Sequence, residues 1–458
     1  MERTLSAELA QFVAGLGYEA LPAQVIDKAK TCLLHGLAVG LAGSELEYAH
    51  IARRLVALAE PGVGEVSAPV IGSSLRASVA GAAFANGVIL HGRVQEDTHG
   101  TAHPGTMIIP ALLAASELRP LDGRAFLTAL VAGYEVLAAV SRDFTALTTP
   151  RGFRASAIYG VFGAAAAAGK ALALSEEQLA AALGLASAFA GGTTQSFASG
   201  TMEWHFENGV AARNGLLAAL LAREGARASA IALEGPAGFY QAFAGTREGL
   251  ERVVSHLGRT WEILNVTFKP YPVCAFNQSP ITAALELVRA HGPRPEEIAR
   301  IELEMNAYEA NYPGMAYTGP FTTVEQTQMS APFCVAWTLA HRAFSFSALT
   351  QFDDEATRAL ISKLEMRARQ DLPPLSLRLT VHLVDGRTLE QELQVDASYY
   401  AWDFARELEL LKELQPDLPL TPEATQRLIE LIRSLEQCQD VHELTRLLEI
   451  PAPSSVGS

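Results

Sequence analysis

The chain has 458 residues, of which 49% are hydrophobic and 19% charged, with a formal net charge of -15 and a pI near 5.3. That length predicts two domains, or one large domain with a smaller one, and enough apolar material for a sizeable core. An acidic chain with no basic stripe excludes the usual electrostatic footprint of a nucleic-acid binder. The four cysteines, Cys32, Cys274, Cys334 and Cys438, are far apart and lack CxxC spacing, which argues against a disulfide framework or a structural zinc site.

The N-terminus MERTLSAELAQFVAGLG reads as an amphipathic helix, without the apolar stretch and cleavage site of a signal peptide. No uninterrupted apolar run of membrane-spanning length is expected, so the predicted setting is reduced and cytoplasmic, away from membranes. Apolar residues at three- and four-residue spacing predict helices around 6–16, 22–43, 76–91, 107–117, 123–141, 157–172, 176–190 and 208–224. Ser175 and Gln178 fit a capping box at the start of the seventh of these. Near residue 260 the pattern changes. ARIELEMN alternates like a strand, and LSLRLTVHLVDGRTLEQELQV reads as two strands joined at Asp385-Gly386. Helical periodicity returns after 400, with Pro422 at a first helical position behind Thr421. The predicted class is therefore mainly α: a helical domain over 1–264, a smaller α+β domain over 265–395, and C-terminal helices over 396–458 that pack back on the first. The last residues, PAPSSVGS, are expected to fray.

Four segments carry candidate chemistry. The first, ANGVILHGRVQEDTHGTAHPG (85–105), places His91, Glu96, Asp97, Thr98, His99 and His103 within thirteen residues between apolar stretches. Titratable groups so placed are costly to desolvate unless paired or used. Two readings stay open: the wall of a polar pocket, or a solvated loop that happens to hold histidines. No strong metal-ligand motif is present, so no metal is expected. In the second segment, Arg154 sits at a loop-to-helix junction, where its planar fork suits a carboxylate. Tyr159 on the following helix either lines the same pocket or fills core. The third, 191–215, runs from glycines and small hydroxyl residues into Glu203, Trp204, His205, Glu207 and Asn208, and reads as a ligand loop or a plain connector. In the fourth, FKPYPVCAFNQSP, the prolines around Tyr271 predict a rigid extended stretch opened by Lys269 at a domain boundary. A lysine partly desolvated in a cleft is a candidate base.

These segments, in this order, resemble the MmgE/PrpD family, whose members include 2-methylcitrate dehydratase, cis-aconitate decarboxylase and iminodisuccinate epimerase. The resemblance implies a large helical domain, a smaller α+β lid domain and an active site in the cleft between them. It also implies a homodimer, no cofactor, and a small di- or tricarboxylate substrate that loses or transfers a proton next to a carboxylate. Asp97, Thr98, His99 and His103 match the family's first motif, and Lys269 and Tyr271 its Lys-Pro-Tyr-Pro element. The chain departs from the family at Arg154, at Trp204-His205-Phe206-Glu207-Asn208-Gly209 and at Gln278, where imidazoles and a lysine are common.

On this resemblance, Asp97, His99, His103 and Lys269 are expected to be catalytic. Thr98, Arg154, Tyr159, His205, Tyr271 and Gln278 are expected to bind substrate. The expected activity is a cofactor-independent lyase of the dehydratase or decarboxylase type. The alternatives are an epimerase of a dicarboxylate such as iminodisuccinate, and a non-catalytic carboxylate-binding homologue.

Overall fold

The structure is a computed structural model that describes residues 3–62 and 66–450. The PAPSSVGS tail, expected to fray, lies outside the described residues. Helix accounts for 58% of the chain and strand for 9%, which bears out the mainly α class with a small α+β part.

The chain divides into two compact units. Unit 1 comprises Met1–Thr193, His205–Phe268 and Trp402–Ser458; unit 2 comprises Thr194–Trp204 and Lys269–Ala401. The short stretch from Thr194 to Trp204 thus belongs to the α+β unit, although in sequence it is embedded in the helical region.

Unit 1 is layered helix on helix. Gly123–Ser141 packs most extensively against Ala155–Ala171, and both also touch Gly105–Ser116. Their starts follow local chemistry. Asp122 accepts the Ala125 N–H, and Ser175 and Gln178 form the capping box expected for Glu176–Phe189. Thr421 accepts the Ala424 N–H, with Pro422 at the first helical position of Pro422–Arg433. One helix, Glu47–Ala59, was not legible from spacing, because its arginines and short apolar side chains give only a narrow buried stripe of Tyr48, Ala49, Ala52 and Val56.

One helix approaches membrane-spanning character without overturning the expectation of no uninterrupted apolar span, because Arg124 and Glu135 interrupt its apolar run. Gly123–Ser141, at 19 residues with mean hydropathy 1.4, is long and apolar enough to cross a bilayer by length and composition. Its window is nevertheless 89% buried within the protein, as fits a core helix enclosed by other helices.

Unit 2 is built on a four-stranded sheet in the order Leu364–Arg369, Ile298–Asn306, Leu377–Leu383, Thr388–Leu393. The first pair is parallel and the others antiparallel. The hairpin falls at Asp385-Gly386 as expected, with Gly386 at φ 90°, a conformation that favours glycine. The helix Gln278–His291 packs on the two hairpin strands. Leu364–Arg369 escaped prediction because none of its residues is buried, Ala368 breaks the alternation by lying exposed, and its polar positions are charged.

Candidate active site

Helix geometry builds the core of the site in unit 1. A Cβ on Gly87 would stand 2.8 Å from the Gly209 Cα, so the helices bearing them approach backbone to backbone. His91 lies one turn after Gly87 and His205 one turn before Gly209. On antiparallel helices those positions fall together. Accordingly the two imidazole centroids are 5.2 Å apart. His205 also stacks on Tyr48 at 3.7 Å. Burial, then the neighbouring His91 and Arg154, push the His205 ring well below the usual imidazole range, so it is neutral at pH 7.

His91, Glu96, His103 and Arg154 form a connected group. The Nδ1 atoms of His91 and His103 each lie 3.1 Å from the same carboxylate oxygen, Glu96 Oε1. On its other side, His91 Nε2 is 2.8 Å from Arg154 Nη2. A guanidinium only donates, so His91 Nε2 accepts and its proton sits on Nδ1, facing Glu96. Arg154 Nη1 reaches Glu207 Oε2 at 3.4 Å, and Glu207 Oε1 accepts the Thr193 N–H. Arg154, at the start of Ala155–Ala171 as expected, is 2% exposed. His91 and Glu96 are equally enclosed, whereas the His103 side chain keeps 15% of its surface. His103 is therefore the member of the group that solvent, or a ligand, reaches.

His103 is held by its backbone. Its N–H donates to Ser156 Oγ, and its carbonyl accepts the Thr106 hydroxyl, which itself accepts from Asn208 Nδ2. Asn208 and His205 are not on a loop: the helix Glu203–Arg223 begins before them, five residues earlier than the spacing suggests.

The remaining expected residues of unit 1 sit around this group in quieter roles. Asp97 is wholly buried; its two oxygens accept the Gly105 N–H at 2.9 Å and the Tyr134 hydroxyl at 2.6 Å. Burial raises its carboxyl above the ordinary range in spite of those donors. Asp97 thus anchors the start of Gly105–Ser116, and a Cβ on Gly105 would strike its carboxylate at 2.7 Å. Thr98 pairs with Thr267 through both backbone N–H groups and through the hydroxyls at 2.6 Å. His99 Nε2 is 3.1 Å from Glu262, which also meets Arg142 and Asn265; the His99 contact is the largest influence holding the Glu262 carboxyl at about 2. Tyr159 is fully buried, bonds Thr148 and packs edge-on to Phe239, so it fills core.

In unit 2, Lys269 is 2% exposed and is the first residue after unit 1 ends. The Gln278 side chain closes the loop behind it. Its oxygen accepts the Tyr271 N–H, and its amide nitrogen reaches the carbonyls of Tyr271, Val273 and Cys274. Gln278 therefore shapes the Lys-Pro-Tyr-Pro loop with every polar atom of its head group. Tyr271 meets Phe344 edge-on, and Trp204 meets Phe197 edge-on at 4.8 Å. Among the described residues no three His, Cys, Asp or Glu side chains converge as a metal-holding group.

The residues expected in the site leave out His91, Glu96 and Glu207. For His91 and Glu96 the signal was present, since both lie in the dense 91–103 run. Glu207 offered none beyond its type.

Residues 7–249 match the MmgE/PrpD N-terminal domain and residues 271–410 the MmgE/PrpD C-terminal domain. The chain belongs to the MmgE/PrpD family. It is similar to the cis-aconitate decarboxylase-like protein oryM of Aspergillus oryzae, at 29% identity over 98% of both chains. It is also similar to human cis-aconitate decarboxylase, at 28% identity over 100% of this chain and 97% of the relative. A third relative, cis-aconitate decarboxylase of Aspergillus terreus, is 26% identical over 98% and 97%. The MmgE/PrpD protein is accordingly an enzyme, a lyase of this family.

Proposed function

We propose that this lyase acts without a cofactor on a small di- or tricarboxylate, removing CO2 from an acid of the cis-aconitate type. The observation that carries the reading is Glu96 Oε1 set against the Nδ1 atoms of both His91 and His103, in a chain similar along its whole length to decarboxylases. Breaking the carbon–carboxylate bond leaves an electron pair on carbon, conjugated towards a neighbouring carboxylate. The catalyst must then stabilise that charge and return a proton to carbon. His103 is the proton carrier in this reading, because Glu96 behind it stabilises the imidazolium. Arg154 is a buried fixed positive charge that supports the developing anion; as a guanidinium it is no base at neutral pH. Lys269 is assigned the electrostatic anchor or second proton carrier. Asp97 and Thr98 are assigned to holding the chain that carries His103.

The test is incubation in D2O with cis-aconitate, methylcitrate, iminodisuccinate and related acids, followed by mass spectrometry and NMR. Release of CO2 with one deuterium in the product is expected. Loss of water would move the reading to a dehydratase, and deuterium uptake at unchanged formula to an epimerase. Ligand binding without any exchange would end the catalytic reading.

A further inference from the structure

Beneath the site, in unit 1, lies a second buried group that the proposed chemistry does not use. His35, on the helix Ala23–Ala42, and Glu407, on Phe404–Leu414, are both fully buried, with His35 Nδ1 2.9 Å from Glu407 Oε2. His35 Nε2 is 2.8 Å from the Gln95 carbonyl, and the same Glu407 oxygen accepts the Trp402 indole N–H at 2.8 Å. The Gln95 carbonyl can only accept, so Nε2 carries a hydrogen. Nδ1 and a carboxylate oxygen cannot face each other at 2.9 Å without a second hydrogen between them. The pair therefore holds one shared proton, and its net charge is zero. That makes a buried ion pair tolerable and costly to break from one side. Burial alone would lower the imidazole, but the Glu407 carboxylate outweighs it and the His35 ring is raised.

The pair touches the chain at two points that matter. One arm grips Gln95, the residue before Glu96. The other braces Phe268, the residue before Lys269. The Phe268 ring lies 4.8 Å from the His35 ring and stacks on Trp402 at 5.2 Å, with Lys28 Nζ 4.2 Å above it. Trp402 is where the chain re-enters unit 1, and Phe268 is where it leaves. Between the two gripped points, Thr98 and Thr267 are joined by reciprocal backbone hydrogen bonds.

We infer that His35 and Glu407 are positioning residues for the reaction, holding in one register the backbone that leads into Glu96 and the Phe268 end of unit 1 from which the chain continues to Lys269. The inference rests on the reading of Glu96 and Lys269 as reacting groups. It does not depend on the identity of the substrate.

The test uses the full chain with Glu407→Ala and Glu407→Gln. With its amide oxygen at the Oε2 position, the glutamine keeps the shape of the side chain and the acceptor of the Trp402 N–H, so the indole stacked on Phe268 stays in place. In the substrate-free protein, amide hydrogen exchange at Thr98 and Thr267 is expected to accelerate in Glu407→Ala relative to the Gly123–Ser141 helix, and to return in Glu407→Gln. With an acid that the wild type turns over, Glu407→Ala should lower kcat roughly tenfold to a hundredfold with KM nearly unchanged, as small misplacements do. Glu407→Gln should recover most of it. Unchanged exchange at both threonines, equal acceleration throughout the Gly123–Ser141 helix, or a rise in KM at constant kcat each overturns the inference. If Glu407→Ala does not fold, His35→Gln carries the same test, because it loses the ring against Phe268; unchanged Thr267 exchange again overturns it. A wild type inactive on every acid would sink the lyase reading alone, and the exchange pattern then decides the positioning role by itself.

Discussion

Arg154 Nη2 lies 2.8 Å from His91 Nε2, and this contact fixes the protonation of an otherwise ambiguous ring. Because arginine has no acceptor, His91 turns its one hydrogen towards Glu96. Arg154→Ala should release that constraint and remove the buried positive charge, lowering kcat/KM by about a hundredfold, near 3 kcal/mol. Arg154→Lys should recover little, since an ammonium cannot reproduce the planar fork that reaches both His91 and Glu207. Steady-state kinetics of the two variants decide this; a lysine variant with near-normal kcat/KM would mean that charge alone suffices.

Glu96→Gln keeps the shape of the group and removes its charge. An amide does not stabilise an imidazolium at His103, so kcat is expected to fall on the order of a hundredfold or more, with the fold retained. Because the two imidazoles share Glu96 Oε1, His91→Ala and Glu96→Gln should be strongly non-additive. A double-mutant cycle reads this directly; independent losses would show that the three residues do not act together.

The Gly87–Gly209 approach is a stability and geometry determinant in one. Gly209→Ala would put a Cβ 2.5 Å from the Phe84 carbonyl oxygen, forcing the helices apart at a cost of about 1–3 kcal/mol. Thermal unfolding should show that loss, together with reduced activity, because His91 and His205 move with their helices. A variant of unchanged Tm and activity would refute the packing argument.

Glu262 gives a pH prediction. Its folded carboxyl is held at about 2 against an ordinary 4.5, chiefly by the His99 hydrogen bond. A depressed acid contributes stability that is fully present above pH 4.5 and is lost as pH falls towards 2. Denaturant unfolding across that window should show stability falling with acid in the wild type, and a flatter profile in Glu262→Gln. Parallel profiles would mean that other carboxylates govern the acid limb.

Gln278→Ala should act on the loop more than on the chemistry. It removes the acceptor of the Tyr271 N–H and the donor to three carbonyls, a loss of roughly 1–3 kcal/mol for buried groups left unpaired. The expected signature is a lower Tm with faster amide exchange at 271–274. A variant of unchanged stability with a raised KM would return Gln278 to substrate contact.

Much of the fold was legible because periodicity and caps are local. The Ser175–Gln178 box, the Thr421–Pro422 start and the Asp385-Gly386 turn involve residues a few positions apart, and they appear where the spacing places them. The site was legible only as a neighbourhood. The 91–103 run marked itself by its density of titratable side chains, yet which of them face one another depends on partners far away in sequence. Asp97 matched a motif and turned out to be enclosed by Gly105 and Tyr134. Glu96 matched less well and meets two imidazoles.

The sequence by itself determined the helical body, the smaller α+β unit and the membership in the MmgE/PrpD family, because composition, periodicity and motif order survive without coordinates. Only the tertiary structure decided the assignments inside the 91–103 run, since burial and hydrogen-bond partners are set by helices distant in the chain. Two glycines let those helices meet closely enough to bring His91 to His205. Arg154 then orients His91, and Glu96 gathers both imidazoles on one oxygen. No pattern along the chain contains that information, because it arises from the distances between side chains once the helices have packed.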